Sequence, residues 1–237
     1  MPELPEVETV VRSLKSLKNK KIVRIKYYSE KVAYNFQISK INKILKGRTF
    51  KSISRKGKYI IFNLKEKYLI CHLRMTGYLY LSKTLPIKKN HIRCIFLLDD
   101  NQFLIFGDIR KFGGFYLYNN LNELNSKIGI DPFNIMFTES WLENNLSTKK
   151  RMIKHLLLDQ KFICGLGNIY IDEILWKTQV SPKTLSHSIT SSKNLYNSIL
   201  SILNDSIKFH GTTIMNFKFG MGLGIMKTKI ISKQYLI

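Results

Sequence analysis

A chain of 237 residues with 44% hydrophobic content can bury a core as one large domain or two modest ones. No apolar run approaches the ~20 residues of a membrane span, and the acidic N-terminus lacks a signal peptide's apolar stretch; the expected location is the cytoplasm, with the nucleoid. Thirty-nine basic residues against 16 acidic ones leave a net charge of +23, which suits a polyanion such as DNA. The composition offers a second source for that charge. The chain holds 31 Lys, 31 Ile and 18 Asn but a single Ala, Ala33, a bias that AT-rich codons produce without selection for binding.

Residues 3–18 are predicted as the first helix. Val7, Val10, Val11, Leu14 and Leu17 recur at helical spacing, and Lys15 and Lys18 fall near its C-terminal end. From about 20 to 118 the pattern becomes strand-like, with apolar runs at 58–64, 67–73, 92–98 and 102–106 broken by Gly, Asn and Asp. The stretch 97–106 reads as a hairpin turning at Asp99–Asn101. Cys71 and Cys94 lie in such apolar runs and read as reduced core residues. Together with Cys164 they form no CxxC pair, and no zinc site can be built from their spacing, so neither metal nor cofactor is expected.

Polar residues 119–133 are predicted as a linker. Helices follow at 138–145, 148–158, 168–177 and 191–209, with Thr148 as the N-cap of the second and Met152, Ile153, Leu156 and Leu157 as its apolar face. Gly165-Leu166-Gly167 is predicted to turn tightly into the helix that begins at Asn168. The expected fold class is therefore α+β: an N-terminal helix with an antiparallel β-sandwich over 1–118, then a helical domain over 134–215 and a tail over 216–237.

The chain opens Met1-Pro2-Glu3-Leu4-Pro5-Glu6-Val7-Glu8. An initiator Met is usually removed before a residue as small as Pro, which would leave Pro2 with a free secondary amine. An α-amine titrates near pH ~8, so part of it is nucleophilic at neutral pH. Attack on a sugar C1′ would give an iminium ion, an electron sink. Glu3 and Glu6 lie within one helical turn, where a buried carboxylic acid could protonate the opening sugar. The plainer reading makes Pro2 and Pro5 helix-start residues and lets the Glu side chains favour the positive helix end.

The opening MPELPEVETVVRSL resembles the start of the formamidopyrimidine-DNA glycosylase family. The resemblance continues in order through SRKGKYIIF (54–62), HLRMTG (72–77), GDIRKFGGF (107–115), GLGNIYIDE (165–173) and HGTT (210–213), and so spans roughly residues 1–217. It implies that Pro2 is the nucleophile and Glu3 the general acid, with Glu6 orienting the N-terminus. It also implies that 134–215 contains the family's helix–two-turns–helix module. Removing a base from a duplex requires flipping the nucleotide out and filling the gap; the resemblance assigns that filling to Met75, Arg110 and Phe112. It places Lys58 and His72 near the damaged-site phosphate, Asn168 on phosphate at a helix start, and Glu173 beneath the reaction site. Taken singly, Met75 reads as core, Arg110 and Lys58 as solvated charges, Asn168 as an N-cap and Glu173 as a helix-favouring residue.

The implied activity is excision of oxidised purines from damaged double-stranded DNA by a monomer, followed by lyase cleavage through a Pro2 Schiff base. MPEL, not MPEG, at the start favours this over the related branch that prefers oxidised pyrimidines. The chain departs from the family after HGTT. The zinc finger, or its zincless equivalent, is expected to be absent, with both CxxC pairs missing and no Arg after Arg151; GMGLG at 220–224 reads as a loop remnant. Two other readings follow: a weakly active or inactive DNA-binding remnant, and an RNA-binding protein.

Overall fold

The computed structural model describes residues 1–87 and 90–211. The predicted tail, its GMGLG segment and the last two residues of HGTT lie outside the described residues. Helix α1, Leu4–Ser13, opens the chain and a 3-10 turn at Lys15–Leu17 extends it. Two four-stranded antiparallel sheets follow. One has the order β1-β6-β7-β5, from Ile22–Tyr27 (β1), Gly77–Ser82 (β5), Ile92–Leu98 (β6) and Phe103–Asp108 (β7). The other has the order β2-β3-β4-β8, from Ser52–Lys56 (β2), Tyr59–Asn63 (β3), Tyr68–His72 (β4) and Gly114–Tyr118 (β8). A five-residue helix, α2 at Ile41–Leu45, lies between β1 and β2.

The sheets bury one core between them. Ile60, Phe62, Leu69, Cys71 and Phe115 of one sheet meet Ile25, Cys94, Phe96, Leu104 and Phe106 of the other. Neighbouring positions such as Ile61, Ile70 and Ile95 point the opposite way and are also covered, so these strands read as continuous apolar runs without alternation. All three cysteines are buried and free. The β6–β7 hairpin turns where expected, with Asn101 at φ 61°.

The segment read as a linker carries structure of its own. Helix α3, Asn122–Asn125, sits in it, and Leu124 and Ile128 pack on the outer face of the second sheet against Ile61, Ile70 and Tyr118. Then come α4 (Glu139–Ser147), α5 (Ile153–Leu158), α6 (Asn168–Thr178) and α7 (Ser192–Lys208). Thr138 caps α4 by accepting the Trp141 N–H at 3.1 Å. The predicted helix 148–158 begins five residues late. Thr148 closes α4 instead of capping α5, and Met152 is the N-cap, half-exposed and off the apolar face. The cause is tertiary: Met152 bridges Leu185, and the Ile153 N–H donates to the Thr184 carbonyl at 2.8 Å, which holds this stretch extended.

Helix α1 joins the two halves. Leu4 belongs to the helical core with Leu166, Tyr170 and Ile171, whereas Val7, Val10 and Val11 belong to the sandwich core. Its first turn therefore sits where the halves meet. Among the described residues no helix is long and apolar enough to cross a membrane.

Candidate active site

The first turn of α1 is built from buried carboxylates. Glu6 Oε2 accepts the Glu3 backbone N–H at 2.9 Å, and Glu6 Oε1 accepts the Tyr170 hydroxyl at 2.6 Å. Both of its oxygens are thus engaged in holding the helix start against α6, an arrangement that fits an orienting role. Glu3 differs. It is only 3% exposed; Oε1 accepts the Ile169 N–H at 3.2 Å, and Oε2 has no hydrogen-bond partner among the described residues. Burial raises the Glu3 pKa, and the nearby Lys58 ammonium opposes that rise. A carboxyl that burial makes hold its proton to higher pH than an ordinary carboxylate, with one oxygen free of partners among the described residues, has the properties of a general acid.

Glycines make this proximity possible. A Cβ on Gly167 would lie 2.3 Å from the Glu3 carboxylate, so only glycine lets the start of α6 approach it. Gly165, at φ +106°, faces Leu4, and its carbonyl accepts the Leu4 N–H at 3.1 Å. Gln160 fixes the turn from inside: its Oε1 accepts the Gly165 N–H at 3.0 Å and its Nε2 donates to the Leu166 carbonyl at 2.7 Å.

Lys58 follows Gly57 (φ +54°) in the β2–β3 turn and is buried. Desolvation lowers its pKa, partly offset by the charges of Glu3 and Glu6. His72 ends β4 beside Tyr59, their rings 4.5 Å apart and edge to face. Its Nδ1 accepts the Arg74 N–H at 3.0 Å. Burial, with Arg74 and Lys58 nearby, pushes its pKa down to about 3. The ring is therefore neutral at pH 7, with Nε2–H left as a donor.

Two turns carry the predicted gap-filling residues. Met75 is 43% exposed at the tip of the β4–β5 turn, and Phe112 is 52% exposed in the β7–β8 turn. The Arg110 guanidinium bridges them, 3.1 Å from Met75 Sδ and 5.0 Å from the centre of the Phe112 ring. Two exposed apolar side chains drawn together by one cation at the tips of adjacent turns suit insertion into a base stack. The single-residue core reading of Met75 is thereby set aside. Asn168 opens α6 and is exposed, while Gly167, and not Asn168, holds the N-cap position. Glu173 lies five residues, about one and a half turns, further along α6 and is half-exposed, with no side-chain hydrogen bond or ion pair among the described residues. The structure thus gathers Pro2, Glu3, Glu6 and Lys58 in one place and Met75, Arg110 and Phe112 in another, and does not join Glu173 to either.

Several contributors escaped the sequence reading. Tyr170 and Gly167 stood inside GLGNIYIDE, but only the fold reveals that they face Glu6 and Glu3. Arg55 and Asp131, 76 residues apart, form a buried pair that holds Gly57, the residue before Lys58, with Nη1–Oδ2 at 2.5 Å and Nη2–Oδ1 at 3.2 Å.

A family model described as the formamidopyrimidine-DNA glycosylase N-terminal domain matches residues 1–115, and one described as the H2TH domain of the same enzymes matches 128–218. Formamidopyrimidine-DNA glycosylase of Mycoplasma pneumoniae is 38% identical over 229 residues, covering 92% of this chain and 82% of its own. That of Streptococcus mutans is also 38% identical, covering 94% and 84%. The structure of Lactococcus lactis Fpg bound to DNA with an abasic site superimposes with a TM-score of 0.82 at 35% identity, covering 90% of this chain and 80% of that one. A complex of L. lactis Fpg with Fapy-dG-containing DNA gives 0.82 at the same identity, covering 90% and 83%.

Proposed function

This chain belongs to the formamidopyrimidine-DNA glycosylase family, and we propose that it is a base-excision repair glycosylase that removes oxidised purines from damaged duplex DNA and then cleaves the strand as a lyase. The observation that carries this reading is the buried Glu3 carboxyl beside Pro2 at the junction of the two halves, with one oxygen held by the Ile169 N–H and the other without a partner among the described residues. The Pro2 nitrogen, freed of Met1, attacks C1′ of a flipped nucleotide. The glycosidic bond breaks, with its electron pair leaving on the base, which takes up the proton released by the Pro2 nitrogen, while Glu3 gives its own proton to the sugar ring oxygen as the ring opens. The resulting iminium withdraws electrons from C2′, and loss of a C2′ proton expels the 3′ phosphate; a second elimination at the 5′ side leaves a one-nucleotide gap. The amine supplies the electron sink, so this scheme needs no cofactor.

Domain roles follow: residues 1–118 hold the chemistry and 134–215 the DNA-gripping helices, with Asn168 and neutral His72 donating to phosphate and Lys58 adding charge. The proposed place of work is the cytoplasm, at the nucleoid. Borohydride trapping tests the reaction. The 237-residue chain should form a covalent adduct with duplexes carrying one 8-oxoguanine opposite cytosine or one abasic site. Pro2→Gly should abolish it, and mass spectrometry should find the mature chain starting at Pro2. Retained DNA binding with no adduct on either duplex would instead identify a binding remnant.

Salt titration tests the phosphate contact. Lys58→Gln should weaken binding on any sequence and reduce the slope of log K against log salt by about one. An unchanged slope would remove Lys58 from the phosphate interface.

A further inference from the structure

The two turns that carry Met75 and Phe112 are joined by a buried carboxylate to which the reaction scheme gives no part. Asp108, the last residue of β7, is 0% exposed. Its Oδ1 accepts the Thr76 hydroxyl in a short hydrogen bond and the Arg110 N–H at 3.1 Å, and its Oδ2 accepts the Gly113 N–H at 2.6 Å. Its own carbonyl accepts Arg93 Nε at 2.9 Å, which anchors it to β6. Thr76 belongs to the Met75 turn, whereas Arg110 and Gly113 flank Phe112 on both sides. One side chain therefore closes the second turn and ties it to the first.

The two turns also touch through their backbones. The Met75 turn is tight, with the Gly77 N–H donating to the Leu73 carbonyl at 2.9 Å and Arg74 at φ 54°. A Cβ on Gly113 would lie 2.9 Å from that same Leu73 carbonyl oxygen. On the outer side the Tyr34 hydroxyl donates to the Phe112 carbonyl in a short hydrogen bond, and the Arg74 guanidinium lies 6.0 Å over the Tyr34 ring. The exposed tips thus stand on a base that is bonded from within and from without.

We propose that Asp108 is a positioning residue that makes the Met75 and Arg110–Phe112 turns enter the duplex as one rigid wedge. The proposal rests on the gap-filling role assigned above. A charged acceptor is required because three donors converge on two oxygens in a site without water access, and a carboxylate satisfies all three. Two independently mobile turns would have to be ordered during insertion, at an entropic cost to the flipping step; pre-joined turns bear that cost at folding.

The test separates flipping from chemistry. Asp108→Asn keeps one carbonyl oxygen but sets an amide N–H₂ against one of the converging donors, and Thr76→Val removes at nearly constant shape both cross-turn bonds of that hydroxyl, the one it gives to Asp108 and the one it accepts from the Arg110 N–H at 3.0 Å. Both are assayed in single turnover on a lesion-bearing duplex and on a single-stranded oligonucleotide with an abasic site, which needs no wedge. A 2-aminopurine next to the lesion reports base unstacking. The expected result is excision from duplex slowed about tenfold or more, equivalent to about 1.4 kcal/mol of barrier, with a slower fluorescence rise and single-strand cleavage unchanged. Equal losses on both substrates, or none on either, would overturn the proposal. Met75→Ala runs alongside: if it too cleaves duplex at the full rate, the wedge assignment itself fails, which is distinct from failure of Asp108 alone.

Discussion

Glu3→Gln is expected to slow base excision by about 10²–10⁴-fold, the usual contribution of a positioned general acid, while leaving much of the cleavage at a pre-formed abasic site. Gln keeps the size of the side chain and an oxygen for the Ile169 N–H, but it cannot give up a proton to the sugar as the base departs. An abasic sugar already opens spontaneously to the aldehyde, so Pro2 can condense with it without that acid. The split between the two substrates therefore reports the acid role and not a collapse of the site. Loss of both activities would point to structural damage, and full excision would remove Glu3 from the acid role. The pH profile gives a second reading. Burial raises the Glu3 pKa, so the proton it must donate is retained into less acid solution and is lost as pH climbs through the raised value. Wild-type excision should fall along that alkaline limb, and the residual activity of Glu3→Gln should lack it. The same shift has a stability sign: the folded state holds this proton more tightly than the unfolded chain does. Stability from this group is thus present at acid pH and lost as pH rises through the folded value.

The parts legible in the sequence are those written in short-range pattern. The β6–β7 hairpin was visible because Asp99–Asn101 separates two apolar runs, and Cys71 and Cys94 were placed correctly by the runs around them. Pro2, Glu3 and Lys58 stand out through wording that resembles a family, and the structure adds that the Lys58 charge acts on Glu3. The rest depends on partners distant in the chain. Thr148 is a good N-cap by type, yet the Ile153–Thr184 bond delays the helix past it. The polar composition of 119–133 says linker, but it conceals Asp131. Asp108 stood inside a recognised motif, and no local rule announces that its carboxylate spans two turns.

Removing the Asp131 carboxylate is expected to cost about 3–5 kcal/mol, the range for breaking a buried ion pair by deleting one partner. Arg55 is nearly inaccessible and is held by Asp131 at two nitrogens, by Glu8 Oε2 at 3.0 Å from Nε, and by the Gly57 carbonyl at 3.1 Å. Asp131 Oδ2 also accepts the Gly57 N–H at 2.7 Å. Asp131→Ala would strip Arg55 of its main counter-charge and leave a buried N–H unpaired at the turn that positions Lys58. At about 2–4 °C per kcal/mol for a chain of this size, the melting temperature should drop by roughly 6 °C or more. Arg55→Met alone leaves the opposite orphan, Asp131, and should also destabilise. Arg55→Met with Asp131→Ala should lose less than the two single changes added together, because neither charge remains to be left unpaired. Strict additivity in that cycle would mean the pair does not act as a unit. The pair joins β2 to the segment leading into the helical half, so its loss should also reach the site: Gly57, freed of its anchor, would let Lys58 drift from Glu3. Excision by Asp131→Ala measured well below its melting temperature should therefore fall even where the protein is fully folded. A variant that melts early yet excises at the wild-type rate when cold would confine Asp131 to stability alone.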